Sequence, residues 1–214
     1  MPATPSDAAP RTAAVAPRAP RTFLGRTVTL PVEVRDARAA TAAFPVDAEA
    51  ARRWLPDDTL DVVRVWPGRT LLGVGAIDYR DNDLGDYDEI AITLFVRPRA
   101  AGRSGVLAGL GDLLRGRVET YIHRLPVNQE FTCEAGRGIW GFPKTVDAID
   151  LRQEDGRVVC DWAREGRPVL RFEARCGGRR TLPDQTLVTW TRIDGRWHRT
   201  RFTQGGEDAA VRPG

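Results

Sequence analysis

The chain contains a single lysine, Lys144, among 32 basic residues. Lysine can lose its proton and attack a carbonyl carbon, whereas the guanidinium group of arginine stays protonated in proteins. Only about one free lysine in a thousand is neutral near pH 7.4, because its ordinary pKa is about 10.4. An apolar environment disfavours the ammonium form and lowers that pKa. On composition alone, a lysine retained by chance explains the observation equally well.

The residues before Lys144 are apolar and aromatic, as a dry site for an amine requires. Trp140, Phe142 and Pro143 stand directly ahead of the lysine, and the ring of Pro143 fixes the backbone there. A neutral amine in such a pocket can add to a ketone and form a Schiff base, which is an electron sink for breaking or making carbon–carbon bonds. We therefore predict amine chemistry at Lys144 and no cofactor, although Trp140 could also be an ordinary core residue.

The composition is typical of one soluble globular domain, with 42% hydrophobic and 29% charged residues over 214 positions. A formal net charge of +3 with closely mixed signs argues against a nucleic-acid partner. No apolar run reaches the roughly 18 residues of a membrane span, and the N-terminus has no apolar signal-peptide core. Three cysteines without CxxC spacing and two scattered histidines predict no disulfide framework, no metal centre and a cytoplasmic location.

Most of the chain alternates between apolar and polar residues, which predicts strands. The pairs Asp155-Gly156 and Asp194-Gly195 lie between such runs and indicate hairpins. The pattern favours an α+β fold, mainly antiparallel, whose sheet is curled or closed like a barrel. The predicted helices are 48–55, capped by Asp47, and 104–116. The predicted strands are 27–34, 60–66, 70–78, 87–96, 119–127, 145–151, 157–164, 168–174, 185–193 and 196–202.

The two ends of the chain differ from its centre in composition. Residues 1–22 are rich in proline, alanine and arginine and have little to bury, which predicts a disordered tail. Residues 205–214 are predicted to form a flexible C-terminal tail. The predicted domain is therefore 23–204.

The segment from Gly136 to Lys144 resembles the signature of the acetoacetate decarboxylase superfamily, in which Gly-Arg precedes an aromatic residue, a proline and the reactive lysine. A second segment, Gly85-Asp86-Tyr87-Asp88-Glu89, resembles the family's Gly-x-Tyr-x-Glu segment, whose glutamate lies in the active site. The resemblance runs from about Val46 to Asp194. It identifies the chain as a divergent member of that superfamily.

The resemblance implies a barrel-like α+β domain in which Lys144 projects into an apolar cavity. In the family, this lysine forms an imine with a β-keto acid, releases carbon dioxide through an enamine and is freed by hydrolysis. By the same resemblance, Glu89 orients the substrate or moves a proton, and Tyr87, Trp140 and Phe142 are pocket walls. The implied partners are a small keto acid and further copies of the chain in a homo-oligomer.

Several positions depart from the family pattern. Thr145 stands where the classical enzyme has a second lysine, so a low pKa of Lys144 would have to come from a dry pocket alone. Gly138 stands in place of an acid. No acid lies near 73–75, where the classical enzyme has a second active-site glutamate. The family usually continues beyond the position of Gly214 with another strand and helix.

The family also uses an N-terminal arginine to bind the substrate carboxylate. Arg26, Arg35 and Arg38 are all candidates, and the sequence does not choose among them.

Three functions follow from these residues. The first is decarboxylation of a β-keto acid such as acetoacetate. The second is a Schiff-base aldolase, dehydratase or cyclase that acts on a keto acid, which the lost lysine and acid favour. The third is a non-catalytic barrel that binds a hydrophobic ligand, with Lys144 as a polar group of its pocket.

Overall fold

A computed structural model describes residues 18–102 and 105–209 of the chain. The helices are α1 (Ala48–Arg52), α2 (Val106–Leu114) and α3 (Glu130–Trp140), and one 3-10 turn covers Arg99–Ala101. The strands are β1 (Arg18–Phe23), β2 (Arg26–Leu30), β3 (Val34–Asp47), β4 (Leu60–Val62), β5 (Arg69–Asn82), β6 (Tyr87–Pro98), β7 (Glu119–Val127), β8 (Lys144–Val146), β9 (Ala148–Glu154), β10 (Arg157–Arg164), β11 (Arg167–Arg175), β12 (Arg180–Ile193) and β13 (Arg196–Ala209). Within these two ranges, no helix is long and apolar enough to cross a membrane.

Eight strands form one strongly curled half-barrel sheet. Its order is β13-β12-β7-β6-β5-β3, with β4 beside β6 and β8 beside β7. Strand β7 runs parallel to both β12 and β8, and the other pairs of this sheet are antiparallel. Strands β9 to β11 form a separate antiparallel sheet, and β1 and β2 form a hairpin. This architecture confirms the predicted α+β fold with a mainly antiparallel, curled sheet.

The two faces of β5 and β6 have different neighbours, because successive side chains of a strand point to opposite faces. On one face, Val74, Ala76 and Ile90 pack against Trp162 and Phe172 of the three-stranded sheet. The opposite face carries the odd-numbered residues from Gly73 to Tyr79 on β5 and from Tyr87 to Phe95 on β6. We call this second face the site face, since Glu89 lies on it.

Several predicted elements agree with the structure. Asp47 caps α1, and its carboxylate accepts a hydrogen bond from the backbone N–H of Ala50 at 2.7 Å. Both Asp-Gly pairs form hairpin turns in which the two residues have positive φ. They connect β9 to β10 and β12 to β13.

Other elements differ from the predictions. Residues 18–22, predicted as tail, form most of β1, and 205–209 continue β13. The rest of both predicted tails lies outside the described residues, as does residue 104 of the predicted second helix. Strand β3 extends to Asp47 through an alanine-rich stretch, which has no strand-like alternation of its own. Helix α3 was not predicted.

Candidate functional site

Helix α3 and the turn after it deliver Lys144 to the sheet. The Gln129 side chain caps the helix by accepting a hydrogen bond from the backbone N–H of Thr132 at 2.8 Å. The helix ends at Gly141, which has a φ of 66° and donates its N–H to the carbonyl of Arg137 at 3.1 Å. A methyl group at Gly141 would also lie 2.5 Å from the His198 ring. Glycine is therefore required here for both its conformation and its size.

Pro143 turns the chain from the helix into β8. The N–H of Lys144 donates to the carbonyl of Phe142 at 2.8 Å, which closes a three-residue turn with the proline at its centre. Lys144 then pairs in parallel with Leu125 of β7. Its carbonyl accepts a hydrogen bond from the Arg137 guanidinium at 3.2 Å. The motif arginine thus holds the backbone of the lysine.

The aliphatic part of Lys144 runs along the helix at Gly136. A methyl group on Gly136 would lie 2.7 Å from Cδ and 2.9 Å from Cε of the lysine. Contacts of that length do not occur between carbon atoms in proteins, so any side chain at this position would displace the lysine. Because Gly136 has no side chain, there is room for the aliphatic part of Lys144 along the helix.

The Lys144 amine lies inside the protein, beside an acidic and a hydroxyl group. Its Nζ is 2.8 Å from Oε2 of Glu89, and the two side chains are only 3% and 8% exposed. Nζ also donates to Oγ1 of Thr132 at 3.2 Å and lies 4.7 Å from the centre of the Tyr87 ring. The structure therefore brings three of the predicted site residues together and adds Thr132, which sequence reasoning missed.

A pair of stacked tyrosines borders Glu89. Tyr79 and Tyr87 are opposite each other on β5 and β6, with ring centroids 4.5 Å apart. The Tyr79 hydroxyl is 3.5 Å from Oε1 of Glu89, at the long limit of a hydrogen bond. Burial, followed by the charge of Glu89, raises the pKa of both tyrosines. Their hydroxyls therefore stay protonated at neutral pH.

The pKa of Lys144 is set by two opposing effects. Burial is the largest single effect and lowers it, but Glu89 and Tyr87 together raise it by more, so the net direction is upward from 10.5. This differs from the expectation that a dry pocket alone would lower the pKa. The resting site is therefore an ammonium–carboxylate pair, and the amine must lose its proton before it can react.

The other predicted pocket walls lie farther from the amine. Trp140, at the end of α3, packs against the apolar cluster that contains Tyr87 and Phe131. Phe142 stacks on Trp140, with ring centroids 5.5 Å apart. Of the three aromatic residues predicted as walls, only Tyr87 presents its ring to Nζ.

The structure separates the three candidate arginines. Arg35 forms ion pairs of 2.7 Å with both Asp81 and Asp83, and Arg38 donates to the side chain of Gln153 at 3.0 Å. The Arg26 guanidinium instead lies 3.7 Å over the Phe131 ring, one residue before Thr132 on α3. Within the described ranges, no carboxylate pairs with Arg26.

Two further site residues could have been found from the sequence only with the fold in hand. Tyr79 comes next to Glu89 through the register of the β5–β6 hairpin. Thr132 reaches Lys144 only because α3 folds back along the lysine stem. Among the described residues, no group of histidine, cysteine and acidic side chains could hold a metal ion.

The half-barrel sheet with a buried lysine–glutamate pair on one face defines an α+β protein with an amine-centred site. The family model for acetoacetate decarboxylase matches residues 14–208, and the chain therefore belongs to the acetoacetate decarboxylase family. None of the curated proteins compared with the chain matches it in sequence.

Solved structures of the same fold are distant in sequence. Acetoacetate decarboxylase from Legionella pneumophila subsp. pneumophila str. Philadelphia 1 is 15% identical, with a TM-score of 0.54 over 83% of this chain and 66% of that chain. A second acetoacetate decarboxylase structure is 14% identical, with a TM-score of 0.54 over 83% of this chain and 68% of that chain. The enduracididine biosynthesis enzyme MppR complexed with pyruvate is 18% identical, with a TM-score of 0.48 over 73% of this chain and 63% of that chain. The chain thus spans just under two thirds of the length of the Legionella protein.

Proposed function

We propose that this chain is a Schiff-base enzyme that decarboxylates a β-keto acid through Lys144. The observation that carries the proposal is the 2.8 Å contact between Nζ of Lys144 and Oε2 of Glu89 inside the protein. It places an amine within direct proton-transfer distance of an acceptor. Membership of the acetoacetate decarboxylase family supports an enzyme that acts on a keto acid.

The first half of the reaction builds the imine. Nζ passes a proton to Glu89, and the neutral amine adds to the ketone carbon to give a carbinolamine. Glu89 returns that proton to the carbinolamine hydroxyl, which leaves as water, and an iminium ion remains. The iminium nitrogen carries its positive charge where the ammonium stood. Glu89 therefore stabilises the charge that the reaction develops.

The second half releases carbon dioxide. The bond between the α-carbon and the carboxylate breaks, and its electron pair moves into the iminium to give an enamine. The enamine carbon takes a proton that Glu89 relays from water, since decarboxylation of a keto acid anion consumes one proton overall. Hydrolysis of the product iminium restores the lysine. We assign the substrate carboxylate to Arg26, which has no carboxylate partner among the described residues and lies over Phe131 beside Thr132.

Borohydride trapping tests this proposal directly. The protein is incubated with acetoacetate, reduced with borohydride and analysed by mass spectrometry, and any ε-amine adduct must lie on Lys144 because there is no other lysine. Lys144→Arg keeps the charge but removes the nucleophile, so it should form no adduct and release no carbon dioxide above background. An Arg variant with full activity would rule out the Schiff-base mechanism.

A Schiff-base aldolase, dehydratase or cyclase is the second candidate. The specific observation that favours it is the lack of an acid near 73–75, where the resemblance would put the second active-site glutamate of the classical decarboxylase, together with Thr145 in place of the second lysine. An adduct on Lys144 without release of carbon dioxide would support this candidate over decarboxylation. A folded protein that forms no adduct with any keto acid would instead support a non-catalytic ligand-binding barrel.

A further inference from the structure

The site face continues beyond Glu89 as a row of small, uncharged residues. Ala91 and Thr93 follow Glu89 on β6, and their cross-strand partners on β5 are Gly75 and Gly73. A methyl group on Gly75 would make ordinary contacts of 3.5 to 3.7 Å with Thr41, Ile77 and Ala91. Strand β5 therefore carries no side chain of its own at Gly75, and a methyl group on Gly73 would overlap the Thr93 hydroxyl and lie 3.5 Å from the Phe95 ring.

The hydroxyl of Thr93 has a partner within this row. Thr93 donates to the carbonyl of Gly73 at 3.4 Å. The row therefore presents neither a charge nor an unpaired hydroxyl at Thr93 to a bound molecule. Its surface suits an uncharged chain, because burying a charged group without a partner is costly.

The row ends at a cavity. Phe95 is the next residue of β6 on the site face, and it borders a cavity of about 380 Å³ whose other walls are Leu113, Gly116, Val118, Gln185, Thr186 and Leu187. At about 3.3 Å per residue, the distance from Glu89 to Phe95 is roughly 20 Å. Phe95 therefore joins the site face, which begins beside the Lys144–Glu89 pair, to the wall of that cavity.

The direction of the row agrees with the position of Arg26. A methyl group on Gly85, at the Tyr87 end of the site face, would lie 3.7 Å from the Arg26 guanidinium. In the binding mode that this position of Arg26 suggests, the carboxylate faces Arg26, the ketone meets Lys144 and the other substituent extends toward Ala91 and Gly75. The carboxylate and the substituent thus occupy opposite ends of the same face.

We propose that the face formed by Gly73, Gly75, Ala91, Thr93 and Phe95 binds the substrate beyond its ketone, so that the substrate is a keto acid with an extended, uncharged chain. The inference rests on the proposed Schiff-base function. It gives Gly73 and Gly75 a role in admitting a longer substrate.

A chain-length series tests the inference. The specificity constant kcat/KM is measured for β-keto acids of four, eight and twelve carbons, with the spontaneous reaction subtracted. We expect the eight-carbon acid to exceed the four-carbon acid by at least about tenfold, since a single methylene group in an apolar pocket can contribute that much. Gly75→Val places a branched side chain on the face and should reduce this ratio by about tenfold or more.

Two further variants make the result decisive. Ala91→Val narrows the same face from the opposite strand, so it answers the question if Gly75→Val fails to fold. Gly206→Val is the matched control, because no atom lies within 4 Å of a methyl group built at Gly206. The control should keep the wild-type ratio.

The outcomes separate this inference from the proposed function. Loss of the long-chain preference in the Gly75 and Ala91 variants, but not in the control, supports the inference. An adduct on Lys144 with acetoacetate, but a ratio near one or a ratio unaffected by both variants, overturns the inference and leaves the Schiff-base function standing. The lack of an adduct with every acid of the series overturns both.

Discussion

Lys144 Nζ and Glu89 Oε2 are 2.8 Å apart in a region that solvent barely reaches. Each group offsets the free-energy cost of burying the other, because a buried charge without a partner is strongly destabilising. In the proposed mechanism, the same contact opposes the loss of the lysine proton and favours the iminium ion. The pair therefore matches the charge of the intermediate better than that of the reactive amine, as expected of a site that stabilises a charged intermediate.

Glu89→Gln should lower the pKa of Lys144, because burial, the largest effect on that pKa, remains while the carboxylate that opposes it is removed. Labelling of the lysine by a small reagent that reacts with neutral amines should therefore begin at lower pH in the variant than in the wild type. Turnover should fall at every pH, since the proton acceptor is lost. A labelling profile that does not move would show that Glu89 does not control the amine.

In the same variant, the pH dependence of stability that Lys144 causes should change sign. In the wild type, the folded pKa of Lys144 lies above its ordinary value, so the stabilisation is complete below about 10.5 and is lost as pH rises through the folded pKa. In Glu89→Gln the lysine is buried without a carboxylate and destabilises the fold until it deprotonates. The difference in free energy of unfolding, about 3 kcal/mol at neutral pH, should shrink in urea titrations as pH rises from the lowered folded pKa of the variant through 10.5. A constant difference would argue against the ion pair.

Thr132→Val should impair the chemistry more than the fold. Valine matches the shape of threonine but cannot accept the hydrogen bond from Nζ, which leaves one donor of the ammonium unpaired. We expect kcat to fall about tenfold with little change in KM, and a loss of stability of about 1–2 kcal/mol. Thr132→Ser should restore most of kcat, because it returns the hydroxyl. If valine and serine behave alike, the hydroxyl has no role in positioning the amine.

Arg26→Gln should raise KM at least about tenfold with a smaller effect on kcat, because charge-assisted hydrogen bonds to a carboxylate contribute about 1.5–3 kcal/mol. Arg38→Gln is the matched control, since Arg38 contacts Gln153 away from the lysine. Steady-state kinetics with one keto acid compare the two variants. Equal KM values for them would remove Arg26 from the substrate site.

Asp88→Asn should stabilise the protein at neutral pH. Burial, with the nearby charges of Asp78 and Asp150, raises the pKa of Asp88 to about 6. Its folded pKa exceeds its ordinary value of 3.8, so the wild type loses stability as pH rises from about 4 to about 6. Because the group is only half-buried, we expect a gain of about 1 kcal/mol at pH 7 after screening by solvent. Thermal unfolding at pH 4 and pH 7 measures it, and an equal effect at both would contradict this cause.

The sequence predicted what depends on local pattern and motif. Most strands and the two Asp-Gly hairpins follow from alternation and from residues that accept positive φ, whereas β1 and the alanine-rich β3 do not. Lys144, Tyr87 and Glu89 were predicted through their motifs, and the structure brings these three side chains together. Their catalytic roles stay a prediction.

The remaining features of the fold and the site could not be predicted from the sequence, because they depend on tertiary contacts. Helix α3 contains Gly136 and Gly138, each of which disfavours a helix by about 1 kcal/mol relative to alanine. Packing explains both glycines: Gly136 is in contact with the aliphatic part of Lys144, and the Phe23 ring lies against Gly138. The direction of the Lys144 pKa shift could not be predicted either, because it depends on the exact distance to a residue of another strand.

The burial of Lys144 leaves the described surface without a single ε-amino group. Acylating metabolites, acetyltransferases and lysine-directed cross-linkers therefore find no side-chain target there while the fold is closed. Modification of this lysine by reagents larger than the site admits has to wait for a local opening, and its rate reports how often that opening occurs. The rate of modification of Lys144 is thus a measure of local opening of the fold around it.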